Sequence, residues 1–164
     1  MDVRPQLDWE NYFMAVAAIS AKRSKLENKV GAVIVTDDNR IVGAGYNGTP
    51  LNHPDPGNVV CDATTNAILF RCVADLRGTS MFTTALPSPE AAKLIVQSRI
   101  KILYFLERSG VNVPEDIASL FATAQVDLRH FIPQHREVVV NFAALGETRE
   151  AQLPEQPSSN GRSE

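Results

Sequence analysis

A chain of 164 residues, 44% hydrophobic and 21% charged, fits one globular domain with a proper core and has the composition of a soluble protein. Its net charge of −3 excludes a general attraction to polynucleotides or anionic membranes, because such binding relies on clustered Lys and Arg. No segment approaches the roughly 18 consecutive apolar residues of a membrane span, and Met1-Asp2-Val3-Arg4-Pro5 carries no apolar signal region, so a cytoplasmic or nuclear location is expected.

Residues 8 to 23 place Trp9, Tyr12, Phe13, Val16 and Ile19 at helical spacing behind Asp8 as N-cap, which predicts an amphipathic first helix. Val30 to Thr36 and Ile41 to Tyr46 are apolar runs joined by the turn chemistry of Asp37-Asp38-Asn39-Arg40, the pattern of a β-hairpin. Gly43 and Gly45 in the second run would let another backbone come close. The proline- and glycine-rich stretch from Asn47 to Gly57 reads as a loop, placed to form the rim of a pocket. A helix is predicted from about Cys61 to Cys72, with both cysteines reduced and buried.

A strand from Ser80 to Thr84, a helix from Ser88 to Ser98 and a strand from Lys101 to Phe105 follow. Pro114 then opens a helix over Glu115 to Ala124, and Val126 to Arg129 gives a short fifth strand. Val138 to Phe142 is a last apolar piece of unassigned type. From Gly146 the sequence has almost no apolar residue, so residues 146–164 are expected to form a disordered tail after a domain spanning 1–145. A hairpin followed by alternating helices and strands predicts an α/β protein, a mixed sheet of about five strands with helices on both faces.

The order and spacing of several short stretches carry a resemblance. They are Leu7-Asp8-Trp9 with Tyr12 to Ala17, Ser20 to Lys25, Val30-Gly31-Ala32, Ile41-Val42-Gly43, Gly45 to Gly48, Asn66-Ala67-Ile68, Ala92 to Ile95 and Phe131-Ile132-Pro133. With them the chain resembles the deoxycytidylate (dCMP) deaminases of the zinc-dependent cytidine deaminase superfamily, over roughly residues 7 to 142. The resemblance implies a cytidine-deaminase-like three-layer α-β-α fold and, for an active member, zinc-activated water attacking cytosine C4 to convert dCMP to dUMP.

Such deaminases carry a His-x-Glu motif and a Pro-Cys-x-x-Cys motif, each opening a helix. With Asn66-Ala67-Ile68 and Ala92-Lys93-Leu94 fixing the register, the His position is Asp62, the Glu position is Thr64, and the two Cys positions are Ser88 and Ala91. Zinc needs three good protein ligands and an open position. Here Asp62 is one candidate, Ser88 offers a neutral hydroxyl and Ala91 offers nothing, so no zinc or other cofactor is expected. Thr64 cannot replace the proton-shuttling Glu, because its hydroxyl does not exchange a proton at a useful pKa. Cys61, His53, His130 and His135 are the remaining donors; Cys61 and Cys72 read as core residues and the histidines as surface residues.

The resemblance also implies nucleotide contacts. Arg23, Ser24 and Lys25 match positions near the phosphate, and Asn47 matches one near the sugar and base or a neighbouring effector site. Asn66 either joins them or holds a loop by hydrogen bonds. Arg23 and Lys25 read equally as basic residues favourable to a helix C-terminus. The leading expectation is a catalytically inactive dCMP deaminase-like subunit, forming a homo-oligomer or a hetero-oligomer with an active deaminase, with a deoxynucleotide as its ligand. The alternatives are an active deaminase with a rebuilt site, and an interaction scaffold whose tail recruits partners.

Overall fold

The computed structural model describes residues 6–53, 59–106, 112–135 and 137–143. Its elements are α1 (Trp9–Ala21), β1 (Gly31–Val35), β2 (Ile41–Tyr46), α2 (Ala63–Leu69), β3 (Ser80–Thr83), α3 (Pro89–Gln97), β4 (Ile102–Leu106), α4 (Glu115–Thr123) and β5 (Asp127–Phe131). The five strands form one mixed sheet in the order β2-β1-β3-β4-β5. β1 runs antiparallel to both β2 and β3, while β3, β4 and β5 run parallel. The expected α/β class and strand number therefore hold.

Strand alternation sorts the core into two halves. From β1, Ala32 and Ile34 point to the side of Ala67, Ile95, Leu103 and Phe121, which belong to α2, α3, β4 and α4. Val33 and Val35 point to the other side, with Phe13, Met14 and Ala17 of α1 and with Phe82 and Tyr104. The sheet is thus the middle of three layers. Burying a side chain such as Phe121 or Ile95, at 1% and 0% exposure, contributes about 1.5–3 kcal/mol.

Local signals position the helices. Asp8 caps α1, its carboxylate accepting from the Asn11 N–H at 2.9 Å. Ser88 caps α3 in the same way, and Pro89 occupies the first turn, where its missing N–H costs nothing. At Gly45 a Cβ would sit 2.6 Å from the Ala63 carbonyl oxygen and 2.8 Å from the Asn66 carbonyl carbon. The close backbone approach foreseen at Gly43 and Gly45 is the seat of α2 on β2.

Three expectations need correction. The buried face of α1 is Asn11, Phe13, Met14, Ala17 and Ala21, while Trp9, Tyr12 and Ile19 are exposed. At Gly31 a Cβ would collide with the Ala17 carbonyl oxygen. The helix lies so close to β1 there that Ala17 and Ala21 must be small, while Phe13 and Met14 fill the core nearer its N-terminus.

The helix predicted over Cys61 to Cys72 is only Ala63–Leu69. Asp62 has extended backbone as its N-cap, and the chain leaves at Phe70. Cys61 instead forms an isolated bridge with Gly48 and is half-buried, and Cys72 is exposed. The apolar run misled because Leu69 and Phe70 face solvent. Residues 137–141, in the apolar piece left unassigned from the sequence, belong to no helix or strand. The proposed tail, and Pro54 to Gly57 of the loop, lie outside the described residues. No described helix is long and apolar enough to cross a membrane.

Candidate functional site

A small cavity of about 50 Å³ lies where β3 ends and α2 and α3 begin, lined among others by Asn47, Asp62, Thr64, Thr83 and Pro87. Open α/β sheets characteristically bind ligands outside the carboxyl ends of their strands. β3 delivers Thr83 to this edge, and the antiparallel β1 starts there, with the Gly31 N–H donating to Thr84 Oγ1 at 3.1 Å.

Asp62 and Ser88, 26 positions apart in sequence, meet here. Asp62 Oδ2 accepts a hydrogen bond from the Ser88 N–H at 3.1 Å, although Asp62 makes no side-chain cap to its own helix. Ser88 Oγ in turn accepts from the Ala91 N–H at 3.2 Å. One carboxylate therefore ties the start of α2 to the start of α3. Thr64 is the second residue of α2, at 2% exposure, and its buried Oγ1 has no hydrogen-bond partner among the described residues. Ala91 is buried at 1% and carries no polar side-chain atom.

The other expected site residues fall into two groups. Asn47 is buried and lines the cavity; its Oδ1 accepts from the Val30 N–H at 2.8 Å and its Nδ2 donates to the Asn28 carbonyl at 2.6 Å. Asn66 is half-buried and donates to the Tyr46 carbonyl at 2.8 Å, which fastens α2 to the end of β2. Arg23 and Lys25 follow α1 on the surface and are exposed. Ser24 between them is buried, its Oγ accepting from the Leu26 N–H at 3.2 Å. Sequence reasoning missed Thr83, which is fully buried and donates to the Ala85 carbonyl at 2.9 Å. A threonine pair ending an otherwise apolar strand was the available signal.

Residues 7–107 match the family model for the cytidine and deoxycytidylate deaminase zinc-binding region. The chain belongs to this family. It is 38% identical to mouse deoxycytidylate deaminase over 167 residues, covering 91% of this chain and 93% of the mouse protein. With human deoxycytidylate deaminase the identity is 40% over 157 residues, covering 85% and 88%. The fold is that of dCMP deaminase from the cyanophage S-TIM5, solved in complex with dCMP and dUMP, at a TM-score of 0.64 and 21% identity over 78% of this chain and 100% of that one.

This deaminase family implies zinc, and the donor set here does not fit it. A zinc site takes three nitrogen, sulfur or carboxylate ligands at about 2.0–2.3 Å. Asp62 offers one carboxylate, its Oδ2 accepting from the Ser88 N–H; the Ser88 hydroxyl is a neutral helix cap, and Ala91 supplies no ligand atom. Thr64 Oγ1 is neutral. Of the other candidate donors, His130 packs edge-on to Phe105 at 4.3 Å on β5, and His135 lines a groove beside α1. Among the described residues no three His, Cys, Asp or Glu side chains converge as a metal-holding group.

Proposed function

We propose that this dCMP deaminase-like protein is catalytically inactive and serves as a binding or regulatory subunit. One observation carries the reading: the positions that would hold the metal offer a single carboxylate, a neutral capping hydroxyl and a methyl group, one good ligand where zinc takes three. The proton-shuttle position adds a second loss, since the Thr64 hydroxyl cannot act as general acid or base near neutral pH. Neither the water nor the leaving ammonia has a group here to activate it.

In this reading the scaffold keeps a ligand and partners rather than a reaction. A deoxynucleotide would place its phosphate against Arg23 and Lys25, with Ser24 holding the turn between them, and its sugar and base toward Asn47 and Asn66. The exposure of both cationic side chains and the position of Asn47 on the cavity support this. The exposed Trp9, Tyr12 and Ile19 on α1 supply an apolar face of the kind that subunits bury, in a homo-oligomer or beside an active deaminase. The domain is taken to end near residue 145, and the protein to work in the cytoplasm or nucleus without zinc.

The test is a dCMP deamination assay with and without added zinc, paired with sedimentation analysis. No dUMP and a defined oligomer are expected. Formation of dUMP that is lost in Asp62→Ala would establish an active, rebuilt site instead. A monodisperse monomer that ignores active deaminase in a pull-down would contradict the subunit role.

A further inference from the structure

We propose that a groove at the far end of α3 binds a small polyphosphate anion through Arg71, Arg77 and Arg99. This groove, about 260 Å³ in volume, is formed by the segment after α2 and the C-terminus of α3, and its lining includes Asp75, Gln97 and Ser98 beside the three arginines. It is separated from Ser88 by the length of α3, about 13 Å for nine residues.

Charge sets the groove apart. Three arginines and one carboxylate, Asp75, line it, in a chain whose net charge is −3. The one pair within it among the described residues is weak: Arg77 Nε lies 3.7 Å from Asp75 Oδ2, and both side chains are about two-thirds exposed at 65% and 64%. Guanidinium groups in such numbers suit phosphoryl oxygens, which they engage with paired N–H donors.

The backbone is built to present these arginines. The Arg99 N–H donates to the Val96 carbonyl at 2.9 Å and the Ile100 N–H to the Ile95 carbonyl at 3.4 Å. This pair of hydrogen bonds ends α3 in a left-handed residue, a position that favours glycine. Arg99 occupies it at φ 58°, a conformation unfavourable for a residue with a Cβ. Attraction of a cation to the helix C-terminus would account for one arginine near α3, and it leaves Arg77 unexplained. On the facing segment, Leu76 is buried at 2%, Asp75 Oδ1 accepts from the Arg77 N–H at 2.9 Å, and the Gly78 N–H donates to the Arg99 carbonyl at 3.0 Å. The two walls are thus fixed to each other before any ligand arrives. Arg71 is steadied by donating to the Ile68 carbonyl at 3.0 Å, which leaves its remaining N–H groups for an anion.

Isothermal titration of the full chain with tripolyphosphate, pyrophosphate and orthophosphate, at about 0.15 M salt so that diffuse attraction is screened, tests the proposal. Saturable binding with affinity falling in that order is expected. Arg99→Gly should weaken tripolyphosphate binding about tenfold while the free protein melts at the same or a higher temperature, because glycine accepts the left-handed conformation. Arg71→Gln and Arg77→Gln should each weaken binding with circular dichroism unchanged. Affinity unchanged in all three variants, equal affinity for orthophosphate, or no saturable binding at this salt concentration would overturn it.

Discussion

Replacing Thr64 by Val removes one buried hydroxyl and keeps the β-branched shape. Thr64 is 2% exposed and its Oγ1 has no hydrogen-bond partner among the described residues, beside a cavity of about 50 Å³. A buried polar group without a partner costs about 1–3 kcal/mol, and Thr and Val have similar helix propensity, so α2 is not otherwise disturbed. Taking the lower part of that range, Thr64→Val should stabilise the protein by about 1–2 kcal/mol and raise Tm by roughly 3–6 °C for a chain of this size. Differential scanning calorimetry of the two proteins measures it. A fall in Tm of similar size would mean that the hydroxyl is satisfied in solution, by an ordered water filling the cavity, and would refute the reasoning from an unpaired Thr64 hydroxyl.

Gly45→Ala puts a Cβ 2.6 Å from the Ala63 carbonyl oxygen and 2.8 Å from the Asn66 carbonyl carbon. It should cost about 1–3 kcal/mol in urea unfolding by pushing α2 off β2, and an unchanged midpoint would refute the close seat. Stability should also fall in alkali. Burial, then the nearby Glu10 carboxylate, raises the Tyr104 phenol above its ordinary 10.0, with Arg129 opposing. The neutral phenol is favoured in the fold, so this contribution is complete below pH 10.0 and is lost as pH rises through the higher folded value. Tyr104→Phe should flatten that decline in a pH series of thermal melts, and an identical decline would exclude Tyr104 as its source.

Much of the sheet and helix order was legible, because each element announces itself locally: Asp8 and Ser88 as caps, Pro89 and Pro114 at helix starts, Asn39 in the hairpin turn. What was not legible depends on contacts far apart in sequence. At Gly31 the backbone of α1 comes against β1, and no periodicity within the helix reveals that Ala17 and Ala21 must be small there. Leu69 and Phe70 extend an apolar run past the end of α2, so the helix looked longer and Cys72 looked buried. At the candidate site, the motif register brought Asp62, Thr64, Ser88 and Ala91 to attention. That the Asp62 carboxylate is bound to the Ser88 N–H could be seen only once the two helix starts were in place.

The proposed inactivity requires that the Asp62, Ser88 and Ala91 positions hold no zinc. Elemental analysis of protein purified without chelator and without a metal-binding tag measures it directly. The expected result is essentially no zinc per chain. Near one zinc per chain would contradict the account and return the protein to the catalytic members of its family.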